Sequence, residues 1–432
     1  MNLLYANDRT GVHAPSWYAA TAAPAPDRPA LKGDRRADVA VIGAGYTGLS
    51  AALHLAEAGL DVALIDAHRV GWGASGRNGG QLGTGQRVEQ EELEKMVGAG
   101  DARRLWDLAE EAKATARDLI ARHAIHCDLK PGVIHTIHRA RYFDDLKAEA
   151  EHLATHYDYP TELLDRDALR AIVDSPAYYG GSVDPGASHL HPLNYALGLA
   201  TAAEAAGATI YERSEITKLH TTGAPIVETA NGRITADHVI LACNGYLGNL
   251  SPPVAARVMP INNFILATEP LEESVAQRVI ANGMAVADSK FVVNYYRLSR
   301  DRRLLFGGQE SYGYRFPSDI KGFVRKAMLS IYPYLKDTRI DYGWGGTLAI
   351  TMNRLPHLAR VAPNVLSASG YSGHGVAIAT LSGKIAAEAI RGQSERFDLM
   401  SSLPTPRFPG GPSFRSPLLA LAMAWYSLRD RL

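Results

Sequence analysis

The chain has 432 residues, 46% hydrophobic and 21% charged, a profile of a globular protein large enough for two domains. Lysine plus arginine balances aspartate plus glutamate at 45 each, so no global field points to nucleic acid or an anionic membrane. Cys127 and Cys243 lie far apart, which excludes a disulfide framework, a dithiol redox centre and a cysteine-rich metal site.

Residues 1–11, MNLLYANDRTG, lack a basic start followed by an apolar run, so a secretory signal is not expected and a cytoplasmic protein is. Residues 1–36 read as an N-terminal arm, extended where alanine and proline concentrate at 19–29. Residues 38–66, DVAVIGAGYTGLSAALHLAEAGLDVALID, then read as strand, glycine turn, helix, strand and acid. Val39 to Ile42 is apolar on both faces, as a buried parallel strand must be. Gly43 permits a tight turn, Gly45 lets a diphosphate approach the backbone, and Gly48 lets the helix pack against the strand. The helix offers its positive N-terminal end to phosphate, and Asp66 closes the second strand where an acid can hydrogen-bond a ribose.

A glycine-rich loop, GWGASGRNGGQLGTG, spans 71–85, and 89–123 reads as one or two amphipathic helices. A strand at 133–138 and helices at 142–157 and 193–206 come next. Strands are expected at 209–212, 216–219 and 226–229, the last turning at Asn231-Gly232 into a buried strand at 236–242. Between 260 and 308 apolar and polar residues alternate, as in an antiparallel sheet, and a helix spans 320–332. A strand at 365–369 leads into Gly370, Gly373 and Gly375 and an apolar helix ending at Gly392. The segment 417–432 is apolar but too short to span a bilayer of ~30 Å; it reads as a packed helix, with membrane-surface contact the alternative.

The expected fold class is α/β: a Rossmann-like, dinucleotide-binding domain interrupted by an α+β substrate domain with a mixed or antiparallel sheet. The first domain takes 37–87, 188–248 and 344–395, the second 88–187 and 249–343, and 396–432 forms the tail. Asp66 disfavours a 2′-phosphate, leaving NAD or FAD. The long small-residue loop after it, and a second helix start at Gly375 able to face the electron-rich edge of a flavin, favour FAD.

On VIGAGYTGLSAALHLAEAG (41–59), GWGASGRNGGQ (71–81), DPGASHLHP (184–192), VILACNGY (239–246), DYGWGGTLAIT (341–351) and SGYSGHGVAIATLSGK (369–384), the chain resembles the D-amino-acid oxidase/sarcosine oxidase superfamily, most of all its gamma-glutamylputrescine oxidase branch. The resemblance implies FAD bound in an extended form. It implies cofactor contacts at Gly43, Gly45, Tyr46, Thr47, Gly48, Asp66 and Ala67, and along the loop at Gly73, Ala74, Ser75, Gly76, Arg77, Asn78, Gly79, Gly80 and Gln81. Further contacts are implied at Cys243, Asn244, Gly245, Trp344, Gly346, Gly370, Tyr371, Gly373, His374, Gly375 and Val376. Some relatives attach flavin through a cysteine in the C-terminal third; no cysteine follows Cys243, so non-covalent FAD is expected.

Amine oxidation on flavin needs a neutral amine, orientation and desolvation, and no strong side-chain base. The implied substrate is a small-molecule amine, gamma-glutamylputrescine first, with L-pipecolate or N-methyl amino acids as alternatives. O2 is the expected acceptor, and a quinone or carrier the alternative. His374, Tyr296 and Arg297 are the catalytic candidates, Arg297 for a substrate carboxylate, with Tyr295 beside them. Trp344 walls the pocket or sits in the core. His189 and His191 read as structural, with no metal expected. A non-catalytic nucleotide-binding protein and an NAD-dependent dehydrogenase are the readings from other classes.

Overall fold

The computed structural model describes residues 2–410. The apolar segment 417–432 lies outside the described residues. Two mixed sheets organise the chain. The eight-stranded sheet runs, in spatial order, His357–Ala362, Val365–Ser369, Gly232–Leu241, Gly33–Ile42, Val62–Ile65 and Thr209–Tyr211, with the hairpin Lys218–His220/Ile226–Glu228 beside Gly232–Leu241. Its central pairs are parallel. Both faces are buried, and the side-chain period of two divides them: Val39, Val41, Val62 and Leu64 enter one core, while Ala40, Ile42, Ala63 and Ile65 enter another. Helices Tyr46–Glu57, Pro192–Ala205 and Gly375–Ile390 cover the first of these faces.

The nine-stranded sheet runs Ile340–Ile350, Met259–Thr268, Leu304–Ser311, Tyr295–Leu298, Ala285–Asp288, Lys130–Thr136, Gly181–His189 and Gln81–Leu82, with Glu162–Leu164 pairing Gly181–His189. Its pairs are antiparallel apart from Ala285–Asp288 with Lys130–Thr136. Phe264, Leu266, Tyr296, Leu304 and Phe306 pack toward helix Ile320–Ile331, and Ile265, Ala267, Tyr295 and Leu305 face the core of the first sheet. Gln81–Leu82, the end of Gly181–His189 and the second half of Ile340–Ile350 belong to this sheet, although they fall in the sequence blocks 37–87, 188–248 and 344–395.

The amphipathic stretch 89–123 is two helices, Gln90–Val97 and Ala99–Arg122, broken at Gly98 (φ +84°). The N-terminal arm is tied down rather than simply extended. Ser16 caps the short helix Trp17–Ala20, which buries Trp17 and Tyr18. Asn7 reaches the second sheet's side of the molecule, accepting from Phe316 N–H and donating to the Tyr314 carbonyl. Among the described residues no helix is long and apolar enough to cross a membrane.

Candidate active site

The first strand ends in the turn at Gly43, whose φ of +107° is strained for any side chain. The turn is then held by hydrogen bonds from its own N–H groups. Gly43 donates to the Ile65 carbonyl (2.8 Å), Ala44 to Asp66 Oδ2 (2.7 Å) and Tyr46 to Ser75 Oγ (3.0 Å). Asp66 Oδ1 accepts a second backbone N–H, from His68 (2.7 Å). Burial nevertheless pushes the Asp66 carboxyl up to about 6 against these hydrogen bonds. Gly45 caps helix Tyr46–Glu57 without a side-chain hydrogen bond, which leaves the helix N-terminus open. A Cβ at Gly48 would overlap the Gly43 carbonyl oxygen, so the close turn-to-helix contact requires glycine.

A cavity of about 320 Å³ opens from this turn and runs between the two sheets. Of the expected cofactor residues, Gly45, Tyr46, Thr47, Ala74, Ser75, Arg77, Asn78, Gly79, Gly80 and Gln81 line it. Asn244, Gly346, Tyr371, Gly373, His374, Gly375 and Val376 complete its wall on that side. A smaller lobe of about 100 Å³ shares Gly45, Ala74, Ser75 and Asn244 with the first and adds Gly43, Asp66, Ala67, Gly73 and Cys243. Burial pushes the Cys243 and Cys127 thiols up to about 12, which keeps both as thiols. The N-terminal arm closes over the small lobe. Leu4 lines it and offers its carbonyl to His68, while Asn2 and Tyr5 donate to Glu215 on the opposite wall.

Several expected residues lie behind the wall. Gly76 and Gly245 pack on the Gly71 and Leu348 carbonyls, and Gly370 donates its N–H to Asn244 Oδ1 (3.0 Å). Trp344 is in the core, its Nε1 donating to the Arg77 carbonyl (3.0 Å). Arg77 lines the cavity; its Nη1 meets Asp8 (2.7 Å) and the Gly345 carbonyl and its Nε the Trp72 carbonyl, while Nη2 is buried with no hydrogen-bond partner among the described residues. Two catalytic candidates are corrected. Tyr296 is buried in the second sheet's outer core, its hydroxyl 3.3 Å from that of Tyr178, because alternation along Tyr295–Leu298 turns it away from the cavity. Arg297 is buried beneath the loop, its Nε donating to the Gly79 carbonyl (3.2 Å).

Tyr295 takes the place expected of Tyr296. It lines the cavity, packs on Gly79 and Gly307, and donates to Asn263 Oδ1. His374 lines the cavity at the start of helix Gly375–Ile390 and donates Nε2–H to the Gly85 carbonyl (3.1 Å), which leaves the lone pair on Nδ1. Burial, reinforced by Arg87, drives it down to about 4, so the imidazole is neutral near pH 7. His135, Asp288, Phe291, Glu310, Arg87 and Arg354 also line the cavity and were not expected. His135 lay in the strand expected at 133–138, and Asp288 and Phe291 in the antiparallel stretch 260–308; Arg87, Glu310 and Arg354 fell in no stretch read as regular structure.

The model of a family of FAD dependent oxidoreductases matches residues 38–389. The chain belongs to that family. The probable oxidoreductase OrdL of Rhizobium meliloti (strain 1021) is 46% identical over 418 residues, covering 96% of this chain and 97% of the relative. The gamma-glutamylputrescine oxidoreductase of Escherichia coli (strain K12) is 41% identical over 421 residues, covering 97% and 99%. The crystal structure of glycine oxidase from Geobacillus kaustophilus superposes with a TM-score of 0.73 at 22% identity, over 86% of this chain and 99% of that one, and shows the shared fold. As a member of this family the protein is an FAD-dependent oxidoreductase. Its residues fit the cofactor: helix Tyr46–Glu57 starts at the cavity wall from a glycine with no side chain to cap it, and Ser75 takes the Tyr46 N–H there, so a diphosphate can reach the helix N-terminus. The two lobes share Gly45, Ala74, Ser75 and Asn244.

Proposed function

We propose that the protein oxidises the primary amine of a gamma-glutamylated diamine, gamma-glutamylputrescine first, with O2 as acceptor. The overall reaction converts R–CH2–NH2, O2 and H2O to R–CHO, NH3 and H2O2. One observation carries the reading: the cavity that begins at the glycine turn continues past the start of helix Gly375–Ile390 into a chamber walled by the second sheet. The similarity to the Escherichia coli gamma-glutamylputrescine oxidoreductase over nearly the whole of both chains supports the substrate.

In this reading the first sheet and its helices form the cofactor domain and the second sheet the substrate domain. Gly43, Gly45 and the N-terminus of Tyr46–Glu57 hold the diphosphate, and Asp66 the ribose. Gly79, Gly80, Gln81, Gly346 and residues 373–376 surround the ring. Bound FAD supplies the two-electron acceptor, taking hydride from the carbon that bears the nitrogen and passing the electrons to O2. The chain supplies the setting. Tyr295, Ala287, Val293 and Leu348 give the reacting end of the substrate a largely uncharged wall that favours the neutral amine. Neutral His374 adds no positive charge to that wall, so the amine sheds its proton to solvent before it is enclosed. No cysteine follows Cys243 in the C-terminal third, which supports non-covalent FAD. The test is aerobic turnover of gamma-glutamylputrescine. One H2O2 and one NH3 per O2 consumed are expected; electron delivery to a quinone dye without O2 uptake would overturn the oxidase assignment.

A further inference from the structure

Seven arginine, histidine and carboxylate side chains line the main cavity, and four of them are accounted for. Arg77 is paired with Asp8. Asp288 accepts from Asn294 N–H (2.9 Å), Asn294 Nδ2 (2.7 Å) and Lys290 N–H (3.2 Å). His135 and His374 are held neutral by burial. Arg87, Arg354 and Glu310 remain. Neither guanidinium has an ion-pair or hydrogen-bond partner among the described residues; Arg354 rests over the Phe291 ring at 5.6 Å. Glu310 accepts from the Tyr312 hydroxyl on Oε2 (3.2 Å), and its Oε1 has no partner among the described residues. The three groups lie within electrostatic range of one another without closing an ion pair.

The backbone holds them in place at a cost. Arg354 has φ +66°, and Gln309, directly before Glu310, has φ +70°; side chains rarely adopt this region unless the surroundings fix it. The strand Leu304–Ser311 pairs with Met259–Thr268 through an irregularity between Asn263 and Ile265, opposite Glu310. Such a bulge re-aims side chains. Two unpaired guanidiniums repel a bare diamine and call for an anion. A carboxylate with a free oxygen beside them calls for a cation.

We infer that Arg87, Arg354 and Glu310 form a subsite for an α-amino-acid head, the guanidiniums taking its carboxylate and Glu310 its ammonium. The inference rests on the gamma-glutamylated amine reading above and adds the residues that select it. The reacting amine must be neutral, so this ion-pairing capacity serves the other end of the substrate.

The test uses gamma-glutamylethylamide, which keeps the head and the amide but has no terminal amine to oxidise. It is expected to inhibit the holoenzyme competitively, and Arg354→Gln and Arg87→Gln to raise its inhibition constant by about 10- to 100-fold at unchanged flavin content. Arg354→Lys, which keeps the charge without the fork, is expected to recover part of that loss. The kcat/KM preference for gamma-glutamylputrescine over N-acetylputrescine falls in parallel. Glu310→Gln lowers the preference for a gamma-glutamyl over a glutaryl head. An inhibition constant that does not move in the arginine variants, or no inhibition of the unaltered enzyme, would overturn the subsite. If gamma-glutamylputrescine is not a substrate, the parent reading fails; inhibition measured against whichever amine is oxidised still decides the subsite.

Discussion

Along the first-sheet wall of the cavity, the groups that face the open space are main-chain N–H groups, glycines and small side chains held by a parallel sheet and two helix starts. Along the second-sheet wall, they are Arg87, His135, Glu310, Tyr295 and Arg354, delivered by strand ends and loops far apart in sequence. The difference follows from what each wall must recognise. A diphosphate is the same in every dinucleotide, so backbone geometry suffices to bind it. A substrate head is particular, and its recognition falls to side chains whose charge and position can vary while the scaffold stays fixed.

Five substitutions, in four comparisons, test that contrast. The largest effect is expected from Gly48→Val on the first wall, where the new side chain meets a backbone carbonyl that cannot yield; the variant is predicted to retain no FAD, read as the flavin-to-protein absorbance ratio. Asp8→Ala leaves buried Arg77 without its carboxylate and is expected to cost about 3 kcal/mol in denaturant unfolding, with faster FAD loss. The third change concerns pH. The Asp66 carboxyl is raised in the folded protein from 3.8 to about 6, so the folded state binds more protons than the unfolded state between these values. Its contribution is therefore full below about pH 4 and is lost as pH rises to about 6. Comparing apoprotein unfolding across that window, Asp66→Asn should lack a fall of roughly 1–2 kcal/mol that the unaltered chain shows, a figure already reduced for the open lobe beside it. The smallest effect separates adjacent tyrosines. Tyr295→Phe removes the hydroxyl that donates to Asn263 on the cavity wall and should lower kcat/KM about tenfold. Tyr296→Phe should cost about 1 kcal/mol of stability and leave kcat/KM within about twofold.

The same contrast explains what could be read from the sequence. The turn at Gly43, Gly45 and Gly48 was legible because a close backbone approach permits almost no other residue at that spacing. The strand Val62–Ile65 was legible because burial on both faces leaves a continuous apolar run. Tyr296 was placed on the right strand but at the wrong phase, since alternation cannot say which face meets the cavity, and Arg297 shares the phase of Tyr295 but is covered by the loop at Gly79. Trp344 entered the core for the same kind of reason: an aromatic near glycines fits a wall or an interior equally well. Arg87, Glu310 and Arg354 were invisible, because their distinguishing property is the lack of a partner, which exists only once the chain has folded. The role of the arm was hidden likewise, since Asn7 and Asp8 gain meaning only through Phe316 and Arg77.

The most direct test is to mix the yellow holoenzyme with amines in the absence of oxygen and follow the flavin absorbance. Rapid bleaching by gamma-glutamylputrescine, faster than by L-pipecolate or N-methyl amino acids at equal concentration, is predicted. Flavin that stays oxidised with gamma-glutamylputrescine while L-pipecolate bleaches it would contradict the account.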